Sequence, residues 1–200
     1  LGHPLDEWNR IKFPIAYDEK IDEIRCVAIN DGETVKFFSK QGFEFETGMD
    51  AFAEQITEMA PGYPNVFDAG FRAFKFNPNN KTCVKHKNGN WQFEYAKSLS
   101  GQKTIDPAEI REFFKLYIWD VVDYEHFTTQ GARGKKDKLE DRKVHLHALF
   151  QRTGKDFPNL EEVTGYIAHT KQDIDAFMAK LKLERREGVM LKPLDSLYTF

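Results

Sequence analysis

The order of apolar and polar positions along the chain predicts a fold rich in β-strands. Residues 24–40 alternate apolar and polar side chains on both sides of the turn sequence NDGE, a pattern typical of a β-hairpin. Residues 65–76 and the apolar run 114–122 predict two longer strands. Shorter strands are expected at 163–169 and 187–194. Because helical segments separate these strands, the order favours a mixed α+β domain.

Four segments have the spacing of helices. Between 49 and 59 apolar residues recur every three or four positions, and Pro61 ends this predicted helix. Asp106 followed by Pro107 is a strong helix start, because the carboxylate caps free N–H groups and proline fits the first turn. The segment 77–98 contains two turn clusters and is expected to be a loop-rich excursion. In the two later helices the apolar residues are Leu139, Leu146, Leu149, Ile174, Phe177, Met178 and Leu181.

Composition narrows the classes of protein to consider. With 200 residues and 40% hydrophobic content, the chain is long enough for one soluble globular domain. The net charge is only −3, so a nucleic-acid surface would have to be local. Cys26 and Cys83 lack the spacing of a zinc site or a disulfide framework, which fits a reducing compartment. No long apolar run or signal-peptide core is visible, so neither secretion nor a membrane is expected.

Lys20 lies in the stretch FPIAYDEKIDEIRC, and by itself such a lysine is most often an exposed surface charge. Several further signals follow it in order: KIDEIR, FSKQG, VFDAGF, YIWD and REGVMLK. This order resembles the covalent nucleotidyltransferases, and among them the ATP-dependent DNA ligases of tailed bacteriophages. The stretches IKFP and KSLSGQKTI resemble the same subgroup. The resemblance covers almost the whole chain.

The resemblance implies a fold and an activity. Residues 1–200 would form an ATP-grasp-like nucleotidyltransferase core of antiparallel sheets flanked by helices, without an OB-fold and ending before the last family motif. In this family a lysine attacks the α-phosphate of ATP and holds AMP, which is passed to a nick in DNA and then displaced. The implied cofactors are ATP and Mg²⁺, and the implied partner is nicked double-stranded DNA in replication or repair. A monomer in the cytoplasm is expected, the host cytoplasm if a phage encodes it.

The resemblance also implies roles for individual residues. Lys20 would be the nucleophile, and Trp119 would stack on adenine, although an aromatic residue in a buried strand is often part of a core. Lys40 stands where the family usually has an arginine, so it keeps the charge without the bidentate fork. Arg142 matches a family arginine or a solvated helix start equally well. The implied nucleotide-binding residues are Arg25, Lys40, Trp119 and Lys192, and the implied metal ligands are Glu187 and Asp68.

Two motifs depart from the family pattern. The family's first motif is Lys-x-Asp-Gly-x-Arg, and here Glu23 replaces the glycine. The family's third motif is Asp-Gly-Glu, whereas this chain has Asp68, Ala69 and Gly70. These changes are expected to weaken ATP binding, and the sequence leaves open whether Glu23 reaches the space vacated at position 70.

Because of these departures, two hypotheses remain. The chain is either the adenylation core of a DNA ligase, or a catalytically degraded ligase-like domain that binds DNA or a protein. RNA ligases and capping guanylyltransferases share the motif order and are a more distant alternative. The basic segment 131–138 is either a DNA-backbone contact or a solvated surface loop under both hypotheses.

Overall fold

The computed structural model describes residues 8–130, 137–184 and 186–198. Most of the basic segment named above, residues 131–136, lies outside the described residues. The strands are β1 (Ile15–Lys20), β2 (Ile24–Asn30), β3 (Val35–Ser39), β4 (Asn65–Ala73), β5 (Phe114–Asp123), β6 (Leu160–Glu162), β7 (Tyr166–Ala168) and β8 (Gly188–Pro193). The helices are α1 (Asp50–Met59), α2 (Lys81–Lys85), α3 (Trp91–Ser100), α4 (Pro107–Phe113), α5 (Tyr124–Gln130), α6 (Leu139–Gln151) and α7 (Lys171–Leu183), and a 3₁₀ turn spans Trp8–Arg10.

The strands form two sheets. The larger sheet has the order β3-β2-β4-β5-β6, in which only the β5/β6 pair is parallel. The predicted hairpin is confirmed, since β2 pairs antiparallel with β3 across the NDGE turn. The smaller sheet has the order β7-β1-β8 and is antiparallel throughout. The two sheets are connected through residues 21–23, so Lys20 ends a strand of the smaller sheet and does not belong to the hairpin.

The main core lies against one face of the larger sheet. Along β4 the odd-numbered residues from Phe67 to Ala73 join this core, while Asp68, Gly70 and Arg72 alternate with them on the opposite face. Helices α1, α3, α4 and α6 contribute fully buried side chains, including Phe52, Ile56, Tyr95, Leu99, Ile110 and Leu146. A second, smaller cluster of Ile15, Ala168 and Ile174 joins α7 to the smaller sheet. The polar face of the larger sheet therefore remains available for a cleft.

The expected α+β architecture is confirmed, with one local correction. The expectation of a loop-rich excursion at 77–98 is wrong, because α2 and α3 fill most of that segment. Asn80 caps α2 by accepting bonds from two backbone N–H groups, and Tyr95 and Leu99 bury one side of α3. The clusters of Asn, Lys and Gly at 77–81 and 85–90, which resembled turns, lie instead at the boundaries of α2 and α3. In α7, Met178 is 43% exposed and does not join the core.

Candidate functional site

A cavity of about 600 Å³ lies between the two sheets. Strands β1 and β8 of the smaller sheet and β2, β4 and β5 of the larger sheet all contribute residues to its walls. Six of the seven residues selected from the sequence line it, namely Lys20, Arg25, Lys40, Asp68, Trp119 and Lys192. The seventh, Glu187, contacts Lys20. Positions separated by up to 172 residues along the chain are thus brought to one site by the pairing of the strands.

Lys20 occupies the last position of β1, where the register places it opposite Gly188 at the start of β8. This register brings Glu187, the residue before β8, next to the lysine, and the Lys20 ammonium donates to Glu187 Oε1. The two side chains remain 43% and 39% exposed. Lys20 therefore stands at an accessible rim of the cavity with one carboxylate partner.

On the larger sheet Arg25 forms a bidentate pair with Asp68. Arg25 Nε lies 3.0 Å from Asp68 Oδ1 and Arg25 Nη2 lies 2.6 Å from Oδ2. Burial raises the pKa of the Asp68 carboxyl, and the guanidinium of Arg25 opposes that shift. The guanidinium also lies 5.9 Å from the centre of the Trp119 ring. The pair with Asp68 therefore fixes the Arg25 guanidinium next to the Trp119 ring on the polar face of the sheet.

Asp18 is a functional candidate that the sequence did not indicate. It is 2% exposed, and its Oδ2 atom lies 3.3 Å from Lys192 Nζ and 3.5 Å from Lys143 Nζ. Burial lowers the pKa of Lys143, an effect that the neighbouring carboxylate of Asp18 opposes. The alternation of β1 places Asp18 two positions before Lys20, which is the only sequence signal for it. Asp18 therefore anchors the lysine that faces the cavity from β8.

Arg142 lies near the start of α6 but is buried there. The alternative that it belongs to a solvated helix start is therefore wrong. The residue is 5% exposed and pairs bidentately with Asp120, with distances of 2.8 Å and 2.9 Å. Its Nη1 atom also donates to the carbonyl oxygens of Asp137 and Ser196. The bond to Ser196 attaches the chain after β8 to α6. Ser196 and Tyr198 of this chain segment line the cavity.

Glu23 lines the same cavity and also a neighbouring cavity of about 720 Å³, as do Arg25 and Lys40. Burial raises the pKa of Glu23 to about 7, and Asp22 adds to this shift, whereas Arg25 and Lys20 oppose it. The neighbouring cavity is otherwise lined by Ile24, by the chain that follows β3, by Phe93 of α3 and by residues at and after the end of α3. Glu23 therefore stands where two cavities meet, and its ionisation state changes near neutral pH.

The raised pKa of Glu23 predicts a pH-dependent stability. Because the ordinary value is 4.5, the folded protein holds a proton that the unfolded chain has released between pH 4.5 and about 7. The contribution of Glu23 to stability therefore falls as pH rises through this window, by up to about 3 kcal/mol, and does not change further above it. Glu23→Gln removes this loss. We expect urea unfolding to show a gain that is about 2 kcal/mol larger at pH 8 than at pH 5.

The matched control for this measurement is Glu33→Gln. Glu33 is exposed on the hairpin turn, so its substitution is expected to stay within about 0.5 kcal/mol of the parent at both pH values. A gain for Glu23→Gln that is equal at the two pH values would contradict the assignment of Glu23 as a partly buried group with a raised pKa.

The two carboxylates expected to bind metal are both engaged. Glu187 accepts from Lys20, and both oxygens of Asp68 accept from Arg25. Within the described ranges no group of three His, Cys, Asp or Glu side chains is arranged to hold a metal ion. Mg²⁺ commonly binds through one or two carboxylates together with substrate phosphates, so a cage built only from protein ligands is not needed. Glu187 at the accessible rim fits this arrangement better than the buried Asp68.

Comparison with known proteins identifies the fold. No protein-family model and no curated protein matches the chain. A solved structure named Pmar-Lig_Pre aligns with 99% of this chain and 42% of its own, with a TM-score of 0.68 and 17% identity. A Chlorella virus DNA ligase-adenylate aligns over 98% and 59%, with a TM-score of 0.61 and 15% identity. The ATP-dependent DNA ligase of bacteriophage T7 in complex with ATP aligns over 93% and 58%, with a TM-score of 0.62 and 12% identity.

The chain thus has the nucleotidyltransferase fold of the adenylation domain of ATP-dependent DNA ligases, as the sequence motifs led us to expect. It spans between 42% and 59% of the length of these three ligases. Among the helices of the described residues, none is both long and apolar enough to cross a membrane.

Proposed function

We propose that this chain is the adenylation core of an ATP-dependent DNA ligase and that Lys20 is its nucleophile. The observation that carries the proposal is the position of Lys20 at the rim of a cavity that also contains Trp119 and Lys192. A flat aromatic ring suits a base, and two lysines from the smaller sheet suit phosphates. The three residues come from three strands, so the arrangement depends on the pairing within both sheets.

The proposed first step transfers AMP to the protein. The Lys20 ammonium, which donates to Glu187, first releases a proton to solvent. The uncharged amine then attacks the α-phosphorus of ATP, a P–N bond forms, and the P–O bond to pyrophosphate breaks. The attacking nitrogen releases its second proton to solvent, and pyrophosphate leaves with the electron pair of the broken bond. Lys20 then carries AMP as a phosphoramidate. A bound Mg²⁺ ion would screen the negative charge of the triphosphate, and Glu187 is proposed as its protein ligand.

Other residues of the cavity would bind and orient the nucleotide. Lys192, whose ammonium lies 3.3 Å from Asp18 Oδ2, would contact the phosphates. Trp119, which lines the cavity and has the Arg25 guanidinium over its ring, would stack on adenine. Lys40, which follows β3, would add a further positive charge where the two cavities meet.

In the proposed second half of the cycle, nicked double-stranded DNA accepts the AMP on its 5′-phosphate, and a 3′-hydroxyl then displaces AMP and seals the nick. The protein is proposed to act as a monomer in the cytoplasm, or in the host cytoplasm if a phage encodes it. The buried free thiols of Cys26 and Cys83 are compatible with such a reducing compartment.

Intact mass spectrometry after incubation with ATP and Mg²⁺ tests the proposal. We expect one AMP adduct per chain, and peptide mapping is expected to place it on Lys20. Added pyrophosphate is expected to remove the adduct, because the step is reversible. If no adduct forms at saturating ATP and Mg²⁺ while the chain still binds nicked duplex, the alternative of a catalytically degraded DNA-binding domain is supported instead.

A further inference from the structure

The side chain of Glu23 occupies the space that a side chain at position 70 would take. A Cβ atom placed on Gly70 would lie 2.1 Å from Glu23 Cγ and 3.1 Å from Glu23 Cδ. Such distances are far below van der Waals contact, so no other residue fits at position 70 while Glu23 keeps its place. The glutamate at position 23 and the glycine at position 70 are therefore sterically coupled, although 47 positions separate them in the sequence.

The occupied space lies on the face of the sheet that borders the cavity. Gly70 lies between Asp68 and Arg72 on the polar face of β4 and pairs with Arg25 of β2. A side chain at position 70 would therefore point from the sheet toward the cavity, as that of Asp68 does. Glu23 reaches the same place from the connection between the two sheets and lines the cavity there.

The charges around Glu23 indicate what it would bind. The charged groups that act on Glu23 are Asp22, Arg25, whose guanidinium lies beside Trp119, and Lys20, the proposed nucleophile. Glu23 thus shares one cavity with Trp119, which is proposed to contact the base, and with Lys20, which is proposed to attack the α-phosphate. A carboxylate repels phosphate but accepts hydrogen bonds from hydroxyl groups, and the sugar of a nucleotide joins its base to its phosphates.

We propose that Glu23 takes the place of a carboxylate on β4 and accepts hydrogen bonds from the sugar hydroxyls of the bound nucleotide. This inference rests on the proposed function, since it concerns the nucleotide of the same cavity. It assigns Glu23 a role in substrate specificity, namely the selection of ribonucleotides over nucleotides that lack sugar hydroxyls.

Relocation of the carboxylate tests the inference. The full chain is prepared with Lys20→Ala, which prevents reaction, and binding of ATP and of 2′,3′-dideoxy-ATP is measured by calorimetry. The Lys20→Ala chain is expected to bind ATP about 10-fold more tightly than the dideoxy analogue. Adding Glu23→Gly is expected to remove this preference. Adding both Glu23→Gly and Gly70→Glu is expected to restore it, because the carboxylate returns to the same space from β4.

Thermal unfolding tests the steric part independently of nucleotide. Gly70→Glu alone is expected to lower the melting temperature, because two side chains would compete for one space. The double variant, Glu23→Gly with Gly70→Glu, is expected to recover most of the lost melting temperature. Glu44→Gln serves as the control for binding: its carboxylate lines only the neighbouring cavity and pairs with Lys36, so the sugar preference should remain.

The possible outcomes separate this inference from the proposed function. A folded double variant without sugar preference, or a Glu23→Gly chain that keeps the full preference, overturns the role of Glu23. An AMP adduct on Lys20 together with equal binding of the two nucleotides overturns this inference alone. A sugar preference without any adduct overturns the enzymatic proposal alone, and a chain that binds no nucleotide overturns both.

Discussion

Lys20→Arg is expected to reduce AMP-adduct formation by at least about 1,000-fold. Arginine keeps the positive charge and can still contact Glu187, but a guanidinium does not lose its proton in proteins and so cannot attack phosphorus. Stability is expected to change little, because the Lys20 side chain is 43% exposed. The measurement is the fraction of adenylated chain by intact mass after a time course with ATP and Mg²⁺.

The matched control is Lys75→Arg. Lys75 is also an exposed lysine with one carboxylate partner, Glu112, at 2.7 Å, and it lies outside the cavity. This variant is expected to form the adduct at the rate of the parent. Equal adduct formation by the Lys20→Arg and Lys75→Arg chains would show that Lys20 is not the nucleophile.

Arg142→Ala is expected to destabilise the protein by about 3–5 kcal/mol. The substitution leaves Asp120, which is 5% exposed, as a buried charge without its bidentate partner. It also removes donors to the carbonyl oxygens of Asp137 and Ser196, which tie the chain after β8 to α6. Urea unfolding measures the loss, and we expect ATP affinity to fall as well because this chain forms a cavity wall.

Two further variants test whether the unpaired buried charge causes the loss of stability. Arg111→Ala removes the same side chain type from an exposed pair with Glu54, whose side chains are 55% and 60% exposed, and is expected to cost at most about 1 kcal/mol. Replacing both Arg142 and Asp120 by apolar residues is expected to cost less than Arg142→Ala alone, because no unpaired charge remains. If Arg142→Ala and Arg111→Ala cost the same, burial of the Arg142 pair is not what stabilises the protein.

Much of the fold follows from local patterns in the sequence. The hairpin of β2 and β3, the helix start at Asp106 and the inward leucines of α6 are confirmed because turn chemistry, capping and periodicity act over a few residues. The segment 77–98 was predicted wrongly because Asn80 acts as a helix cap, and the same residue type also favours turns. The core contacts of Tyr95 and Leu99 gave α3 its tertiary support, which local propensity does not contain.

The candidate site was predicted in part. The order of motifs selected six residues that line one cavity, and Glu187 contacts one of them. Asp18 and Asp120 were not selected, since each is defined by a partner more than twenty positions away, Lys192 and Arg142 respectively. Metal binding by Glu187 and Asp68 stays a prediction.

Local patterns along the chain were enough to predict the order of most strands and helices and to select Lys20 as the proposed nucleophile. That Glu23 fills the space beside Gly70, and that Arg142 is buried against Asp120, became visible only in the folded protein. The two kinds of feature differ in the sequence separation of the residues that interact. Turns, caps and periodicity depend on residues that are close along the chain. Steric exclusion and charge pairing depend on which strands and helices become neighbours in the folded protein.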